Sequence, residues 1–422
     1  EKENEIEVVT VTAQKRTERI LDVPISLSVF TDETIAQTGV QELRDLGDFI
    51  PNVVLSSGTD FHSRVIIRGV GAEGKNIGFD SRVGVYLDGV YLGQGPTQNQ
   101  ELVDIERVEV LRGPQGTLFG KNTIAGAINL ISKKPYEDFE GSFSVNASNF
   151  NGLELKADVN IPLSDTVSTK FSASSRTRDG YIENTWQSED VPTQMVVATH
   201  PVTGVPISAP ITAVIQTQFN PAFAALGLPP HPTNAIAPTE APKNEALNNQ
   251  DTQAWRAQVN YRPSDELEIN IAFDGLKSDR NSVLGINITD TFGSTVEQNA
   301  PGIDQVSWSN PGRETRDILG ASIIVDYDLE NDFAFKSITA NRNSEINISE
   351  DLDYSAIDFV SMNFADEYNQ FTQEFQLISP NSSTLKYVVG LYYLKDDADT
   401  SRNVINGNGA FYFSDIANFK FN

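Results

Sequence analysis

From about residue 137 onward, apolar and polar residues alternate along the chain. In Leu153–Ile161 every odd position is apolar and every even position is charged or amide-bearing, and Ser142–Phe150, Leu267–Phe273 and Ala321–Tyr327 follow the same rule with few exceptions. A period of two predicts β-strands that have one apolar and one polar face. Both soluble sandwiches and membrane barrels contain such strands, so the alternation leaves both architectures open.

The connections between these strands favour the barrel. Four are short turns, at Pro162–Asp165, Pro263–Glu266, Glu330–Asp332 and Ser379–Ser382. Three are long excursions, at Gln187–Asn249, Lys277–Arg313 and Glu345–Glu367. Alternating tight turns and long loops are typical of outer-membrane barrels, whereas structureless loops of this length are uncommon in compact soluble domains.

Nine antiparallel strands follow from this pattern, with a tenth candidate near 409–421. We predict them near residues 140–150, 152–162, 166–178, 251–262, 265–276, 315–329, 333–343, 367–378 and 383–395.

Residues 24–136 have a different, mixed pattern that predicts a small α+β domain. Pro24–Phe30 has strand composition, and Thr31 is a helix N-cap followed by an acidic first turn. Ser81–Gln94 predicts a hairpin that turns at Asp88-Gly89. Asp104–Pro135 predicts a strand, a glycine-punctuated connection and a second strand.

Three motifs of this domain, IIRGVG, VGVYLDGVYLG and VEVLRGPQGTLFG, resemble in order and spacing those of the plug domain of TonB-dependent outer-membrane receptors. The resemblance implies a mainly β fold, in which a transmembrane antiparallel barrel of about 22 strands surrounds an amino-terminal α+β plug. Residues 1–23 would form a periplasmic tether, 24–136 the plug and 137–422 the amino-terminal part of the barrel. Since nine or ten strands cannot enclose such a plug, we expect further strands beyond the chain as given.

The tether contains a short β-branched run that resembles the TonB box. Its six residues are the expected TonB-binding set, Val8, Val9, Thr10, Val11, Thr12 and Ala13. Such a run can add as a strand to another protein's sheet, and no turn or partner strand is evident beside it. A first strand of the following domain is the alternative interpretation.

Two polar, glycine-rich stretches, 71–81 and 93–100, are predicted to be surface loops. In the family such plug loops line the ligand site, which makes candidates of Lys75, Asn76, Phe79, Asp80, Arg82, Gln98 and Asn99. Ordinary solvated loops are the alternative.

The resemblance also implies a lock between plug and barrel. Arg68 and Arg112 match plug positions that pair with barrel glutamates, and Glu374 lies on the lumen face of its strand if Phe371 and Phe375 face outward. A lumen carboxylate that meets a buried arginine would neutralise a costly charge.

Composition adds constraints on partners and chemistry. The net charge of −27 argues against nucleic acid as a partner. Cysteine is absent, and His200 and His231 lie in a proline-rich stretch without further ligands at metal-binding spacing. No catalytic constellation is evident, so we expect no enzyme activity and no cofactor, with iron present only as part of a transported ligand.

The resemblance therefore implies TonB-dependent import of a scarce nutrient across the bacterial outer membrane, with a ferric siderophore as the commonest cargo in the family. Vitamin B12 and oligosaccharides or glycosides are alternative cargoes. A passive plugged barrel, a surface-binding barrel or a soluble sugar-binding sandwich would be a different class of protein. The implied partners are TonB with its inner-membrane energising complex, the lipid bilayer, lipopolysaccharide and a small-molecule ligand.

Overall fold

A computed structural model of the chain describes residues 10–56, 64–73, 80–185, 194–199, 206–210, 246–281, 305–306, 308–352 and 360–406. The tenth strand candidate, near 409–421, and most of the proline-rich stretch 187–249 lie outside these ranges. No helix in the described ranges is long and apolar enough to cross a membrane.

The amino-terminal part is a small α+β unit of ten strands and three helices. The strands are β1 (Thr10–Val11), β2 (Glu18–Arg19), β3 (Ser26–Thr31), β4 (Val53–Ser56), β5 (Arg64–Ile67), β6 (Val70–Glu73), β7 (Val83–Leu87), β8 (Val90–Tyr91), β9 (Ile105–Arg112) and β10 (Gly126–Ser132). The helices are α1 (Asp32–Thr38), α2 (Gly95–Gln98) and α3 (Gly116–Phe119), and 3₁₀ turns span Ile20–Asp22 and Leu43–Phe49.

Five of these strands form the central sheet of the plug, in the order β3-β9-β10-β7-β8. The predicted hairpin is present, with Asp88 and Gly89 both at positive φ between β7 and β8. The predicted cap of α1 is also present, because Thr31 Oγ1 accepts a hydrogen bond from Thr34 N at 3.3 Å. The strand pair predicted within 104–135 is β9 and β10, which run antiparallel.

The remaining strands build one large antiparallel sheet and several short pairings. The chain continues with β11 (Glu140–Ser148), β12 (Gly152–Ser164), β13 (Val167–Arg178), β14 (Ile182–Asn184), β15 (Gln194–Thr199), β16 (Pro206–Pro210), β17 (Ala246–Leu247), β18 (Gln250–Tyr261), β19 (Leu267–Arg280), β20 (Gln305–Val306), β21 (Arg313–Asp328), β22 (Ala334–Asp351), β23 (Val360–Ile378) and β24 (Val388–Asn406), with a 3₁₀ turn at Glu330–Asp332. The large sheet has the order β11-β12-β13-β18-β19-β21-β22-β23-β24.

These nine strands are the nine predicted from the alternation, but several are longer than expected. The predicted loop 345–367 is largely strand, because β22 and β23 remain paired from Asp351↔Ser361 down to Glu345↔Glu367. Lumen-side packing of Ile346 and Ile348 against Phe364 supports this extension.

The large sheet carries its apolar residues on the outside. Phe171, Phe273, Leu319, Ile323 and Phe375 are 42–51% exposed, whereas polar side chains of the same strands, such as Lys170, Asn270 and Gln376, are buried toward the plug. An apolar outer face and a polar inner face are the arrangement of a transmembrane barrel wall.

Candidate functional site: the plug–barrel interface and the tether

Three cations of the barrel wall form buried ion pairs with carboxylates of the plug. Lys170 Nζ lies 2.5 Å from Asp104 Oδ1, and Arg176 Nη2 lies 2.7 Å from Glu101 Oε1. Arg256 pairs with Asp88, which also accepts hydrogen bonds from Ser132 N and Ser132 Oγ at 2.8 Å. Because all six charged side chains are 4–14% exposed, these pairs neutralise charges that water hardly reaches, and Arg256 also lies 3.5 Å from Asp274 of the wall.

The strand geometry explains why these cations point inward. Lys170 and Arg176 are six residues apart on β13, so they share one face of the strand. Arg256 lies on the adjacent strand β18, directly opposite Ser172, and therefore has the same orientation. The wall thus presents a line of cations to the plug segment between Asp88 and Asp104.

A fourth wall cation, Arg316, binds backbone carbonyls of the same plug segment. Its Nη1 donates to Pro96 O at 3.3 Å and to Asn99 O at 3.0 Å, and the side chain is 1% exposed. On another part of the wall, Gln370 Nε2 donates to Tyr91 O at 2.6 Å. These contacts cover α2 and the residues around it.

Glu42 and Glu101 of the plug lie side by side near α2. Their backbones form an isolated β-bridge. Burial disfavours the charged form of Glu42, but attraction to Arg44, Arg280, Arg176 and Arg316 outweighs it and lowers the pKa of Glu42 to about 2. Burial dominates at Glu101 and raises its pKa to about 7, against the opposing attraction of Arg176. The negative charge of the pair is therefore held first by Glu42.

The tether is attached to both plug and barrel. Thr12 N donates to Glu109 Oε1 of β9 at 2.9 Å. Lys15 Nζ lies 3.5 Å from Glu374 Oε1 and 4.8 Å from the ring centroid of Phe119, and burial lowers the pKa of Lys15 although Glu374 opposes this shift.

Arg16, the next residue, is bound by the turn that joins β23 and β24. Its guanidinium donates to Ser379 O at 2.7 Å, Ser379 Oγ at 2.8 Å, Asn381 Oδ1 at 3.1 Å and Tyr387 O at 2.6 Å. Four hydrogen bonds from the planar guanidinium group fix the tether to the wall at this point.

The structure describes four of the six predicted TonB-binding residues and corrects one expectation, that no partner strand lies beside them. Val8 and Val9 lie outside the described residues, and Thr10 is exposed. Val11 and Ala13 are fully buried in a cluster with Leu111 and Ala127. A partner strand does exist, because β1 pairs with β2 through Thr10↔Arg19 and Val11↔Glu18 across the turn that contains Lys15.

The predicted lock also requires correction. Glu374 is on the lumen face and Phe371 and Phe375 face outward, as expected, but the partner of Glu374 is Lys15 of the tether. Arg112 binds Ser28 Oγ at 3.1 Å and Pro51 O at 3.4 Å inside the plug, because it ends β9 next to β3. Arg68 lies at positive φ in the turn between β5 and β6. Within the described ranges neither arginine has an ion pair with the wall. The wall supplies the cations of the three buried pairs, whereas the more exposed plug residue Lys134 pairs with Glu268 of the wall at 2.6 Å.

Of the predicted ligand residues, Lys75, Asn76 and Phe79 lie outside the described residues. Asp80 and Arg82 are exposed, and Asp80 lies 3.5 Å from Lys121 Nζ. Gln98 and Asn99 were predicted wrongly as surface residues, since they are 2% and 3% exposed. Gln98 Nε2 donates to Leu92 O at 3.3 Å and Asn99 Nδ2 donates to Glu42 Oε2 at 2.7 Å, so their side chains are engaged inside the protein.

Comparison with known proteins agrees with this architecture. Residues 19–127 match the family model of the TonB-dependent Receptor Plug Domain. The fold resembles the ferric yersiniabactin uptake receptor FyuA from Yersinia pestis, with a TM-score of 0.67 at 19% identity over 90% of this chain and 50% of that one. It also resembles the ferripyoverdine receptor of Pseudomonas aeruginosa, with a TM-score of 0.67 at 14% identity over 96% of this chain and 48% of that one.

Curated relatives match less than half of the chain. The iron-regulated outer membrane virulence protein of Vibrio cholerae is 30% identical over 183 residues, which are 41% of this chain and 28% of the relative. The ferrichrome outer membrane transporter/phage receptor of Escherichia coli is 32% identical over 131 residues, 30% of this chain and 17% of the relative. The chain spans about half the length of the solved receptors and less of the curated relatives. The chain thus contains a plug domain of the TonB-dependent receptor type at residues 19–127, and its fold is like that of the solved receptors.

The first prediction concerns the wall cations. We expect Arg176→Met to loosen the plug, because it removes the guanidinium that binds Gln41 and Glu101 of the plug across the interface, a loss of about 3 kcal/mol when a buried pair is broken. Amide hydrogen exchange of β9 and β10 measures the loosening and should accelerate about a hundredfold. Arg313→Met is the matched control, since that arginine pairs at 2.6 Å with Asp279, which also lies on the wall, and their side chains are 62% and 43% exposed. Recovery in Arg176→Met/Glu101→Gln is expected, and unchanged exchange in the single variant would remove this pair from the interface.

The second prediction concerns Glu374. Glu374→Lys should repel Lys15 and release the tether while the plug body stays in place, because the wall cations do not contact residue 374. Trypsin should then cleave after Lys15 and Arg16 faster, without added permeability to large antibiotics. The charge swap Lys15→Glu/Glu374→Lys should restore protection at Arg16. Antibiotic leakage in the single variant would show instead that Glu374 holds the plug body, as the sequence resemblance implied.

Proposed function

We propose that the protein is a TonB-dependent active importer of the bacterial outer membrane that carries a ferric siderophore. The observation that carries this proposal is the attachment of the tether, which connects directly to the central plug strand β9 through Thr12 and Glu109. A pull on the preceding residues therefore acts on the sheet that obstructs the lumen.

In this mechanism the plug obstructs the lumen until TonB captures the Val8–Ala13 segment from the periplasm. The inner-membrane proton gradient supplies the force through TonB and its energising complex. The buried pairs of Lys170, Arg176 and Arg256 keep the segment between Asp88 and Asp104 on the wall. No catalytic step is required, and we propose neither an enzyme activity nor a resident cofactor.

The apolar outer face of the large sheet faces lipid, and the amino terminus is periplasmic. The turn that binds Arg16 lies on the same side of the wall as the other short connections, such as the turn at Glu330–Asp332. Short turns face the periplasm in barrels of this kind, and the long connections face the outside with its lipopolysaccharide.

The names of similar proteins support a siderophore as cargo. They include receptors for ferric yersiniabactin and ferripyoverdine and a ferrichrome transporter. Iron would enter as part of that ligand. The exposed pair Asp80 and Lys121, together with Arg82, is the described part of the plug surface that we propose contacts it.

Deletion of residues 6–13 tests the mechanism. We expect the variant to bind cargo with unchanged affinity and to lose its uptake, because the tether acts after binding. Deletion of residues 1–5 is the control and should leave both properties intact. The measurement is binding and uptake of ⁵⁵Fe-labelled siderophores by intact cells. Full uptake after deletion of 6–13 would instead indicate a passive plugged barrel, and uptake of vitamin B12 or a glycoside in place of ⁵⁵Fe would reassign the cargo.

A further inference from the structure

Glu109 is a fully buried carboxylate in the middle of the plug sheet. It lies on β9, between β3 and β10, and its side chain is 0% exposed. A carboxylate at such a position is unfavourable unless donors surround it. The identity of those donors therefore indicates what Glu109 does.

Half of the donor set comes from the tether. Glu109 Oε1 accepts from Thr12 N at 2.9 Å and from Thr12 Oγ1 at 3.2 Å. The plug itself contributes Arg107 Nε at 2.9 Å and Asn129 Nδ2 at 3.4 Å. When Thr12 leaves, Arg107 and Asn129 remain, so the carboxylate keeps a charged partner and the departure can be reversed.

The residues on either side of Thr12 complete the contact. Val11 and Ala13 are 0% exposed and pack with Leu111 and Ala127, which are neighbours of Glu109 on β9 and of Asn129 on β10. A strand of another protein cannot cover Val11–Ala13 while these two side chains are buried against the plug. For these residues, docking on the plug and capture by a partner are therefore mutually exclusive.

We propose that Glu109 is the plug's binding residue for the tether and that it sets how often the tether is free for capture. This inference rests on the proposed function for the identity of the partner, TonB, but the docking equilibrium itself does not. A weaker Glu109–Thr12 contact increases the fraction of molecules in which the tether is undocked. Since TonB binds the undocked tether, its apparent affinity increases by the same factor.

Cysteine labelling measures the free fraction directly. The chain contains no cysteine, so Val11→Cys introduces a single thiol at a buried position of the tether. The rate of maleimide labelling of this variant, with the full chain purified in detergent, reports undocking without TonB or cargo.

Two changes weaken the contact from opposite sides. Glu109→Gln removes the charge and should raise the labelling rate about tenfold, because hydrogen bonds to a charged group are the stronger kind. Thr12→Val removes one hydroxyl donor at nearly constant volume and should raise the rate a fewfold. Thr12 lies outside the central sheet, so this variant remains informative if Glu109→Gln fails to fold.

Glu106→Gln is the matched control. Glu106 pairs with the same Arg107, but its side chain is 49% exposed and does not contact the tether. We expect its labelling rate to equal that of the parent. Equal rates in the parent, Glu109→Gln and Thr12→Val would overturn the proposal.

Affinity for a purified periplasmic TonB fragment separates the two proposals. An increase in affinity for the fragment that matches the increase in labelling rate supports both proposals. Labelling that responds while no variant binds the fragment would contradict the proposed function and leave the role of Glu109 intact.

Discussion

The interface depends on the neutralisation of charges that neither plug nor barrel could bury alone. The wall uses its apolar residues on the lipid side, so its lumen face is polar and includes Lys170, Arg176 and Arg256. The plug covers these cations and supplies Asp104, Glu101 and Asp88 in return. Removal of one partner leaves the other without its nearest opposite charge in a buried place, and this penalty holds the two parts in register.

The tether is held by weaker contacts. From residue 10 onward its one ion pair with the wall, Lys15 with Glu374, spans 3.5 Å, and Arg16 binds neutral oxygens of a turn. Thr12 is bound by hydrogen bonds from its backbone N–H and its hydroxyl to Glu109. A force applied to the amino terminus therefore meets the reversible contacts first, while the ion-paired segment between Asp88 and Asp104 remains on the wall.

Much of this fold could be predicted from the sequence, because strand alternation and turn chemistry are local. The hairpin at Asp88-Gly89, the cap at Thr31 and the lumen orientation of Glu374 follow from neighbouring residues alone. The ion-pair partners could not be predicted, since they depend on how the plug is oriented inside the wall. The sequence did contain one indication, because the alternation along their strand places Lys170 and Arg176 on the lumen face. The family resemblance pointed to Arg68 and Arg112 instead.

Gln98 and Asn99 illustrate a second limit. Their polar, glycine-rich surroundings are typical of a surface loop, but the arginine that covers them, Arg316, is more than 200 residues away in the chain. The β-branched run around Val11 and Ala13 predicts a strand but does not show whether the strand is buried. Its burial depends on a cluster with residues of β9 and β10. Contacts between distant segments decide both cases.

The central claim is that wall cations hold the plug, and simultaneous removal of three of them tests it most directly. Hydrogen exchange of the plug strands β9 and β10 should be compared between Lys170→Met/Arg176→Met/Arg256→Met and a control triple variant at the exposed cations Lys277, Arg313 and Lys395. We predict exchange at least about a hundredfold faster in the first variant and unchanged in the control. Equal protection of the plug strands in both variants would contradict the account.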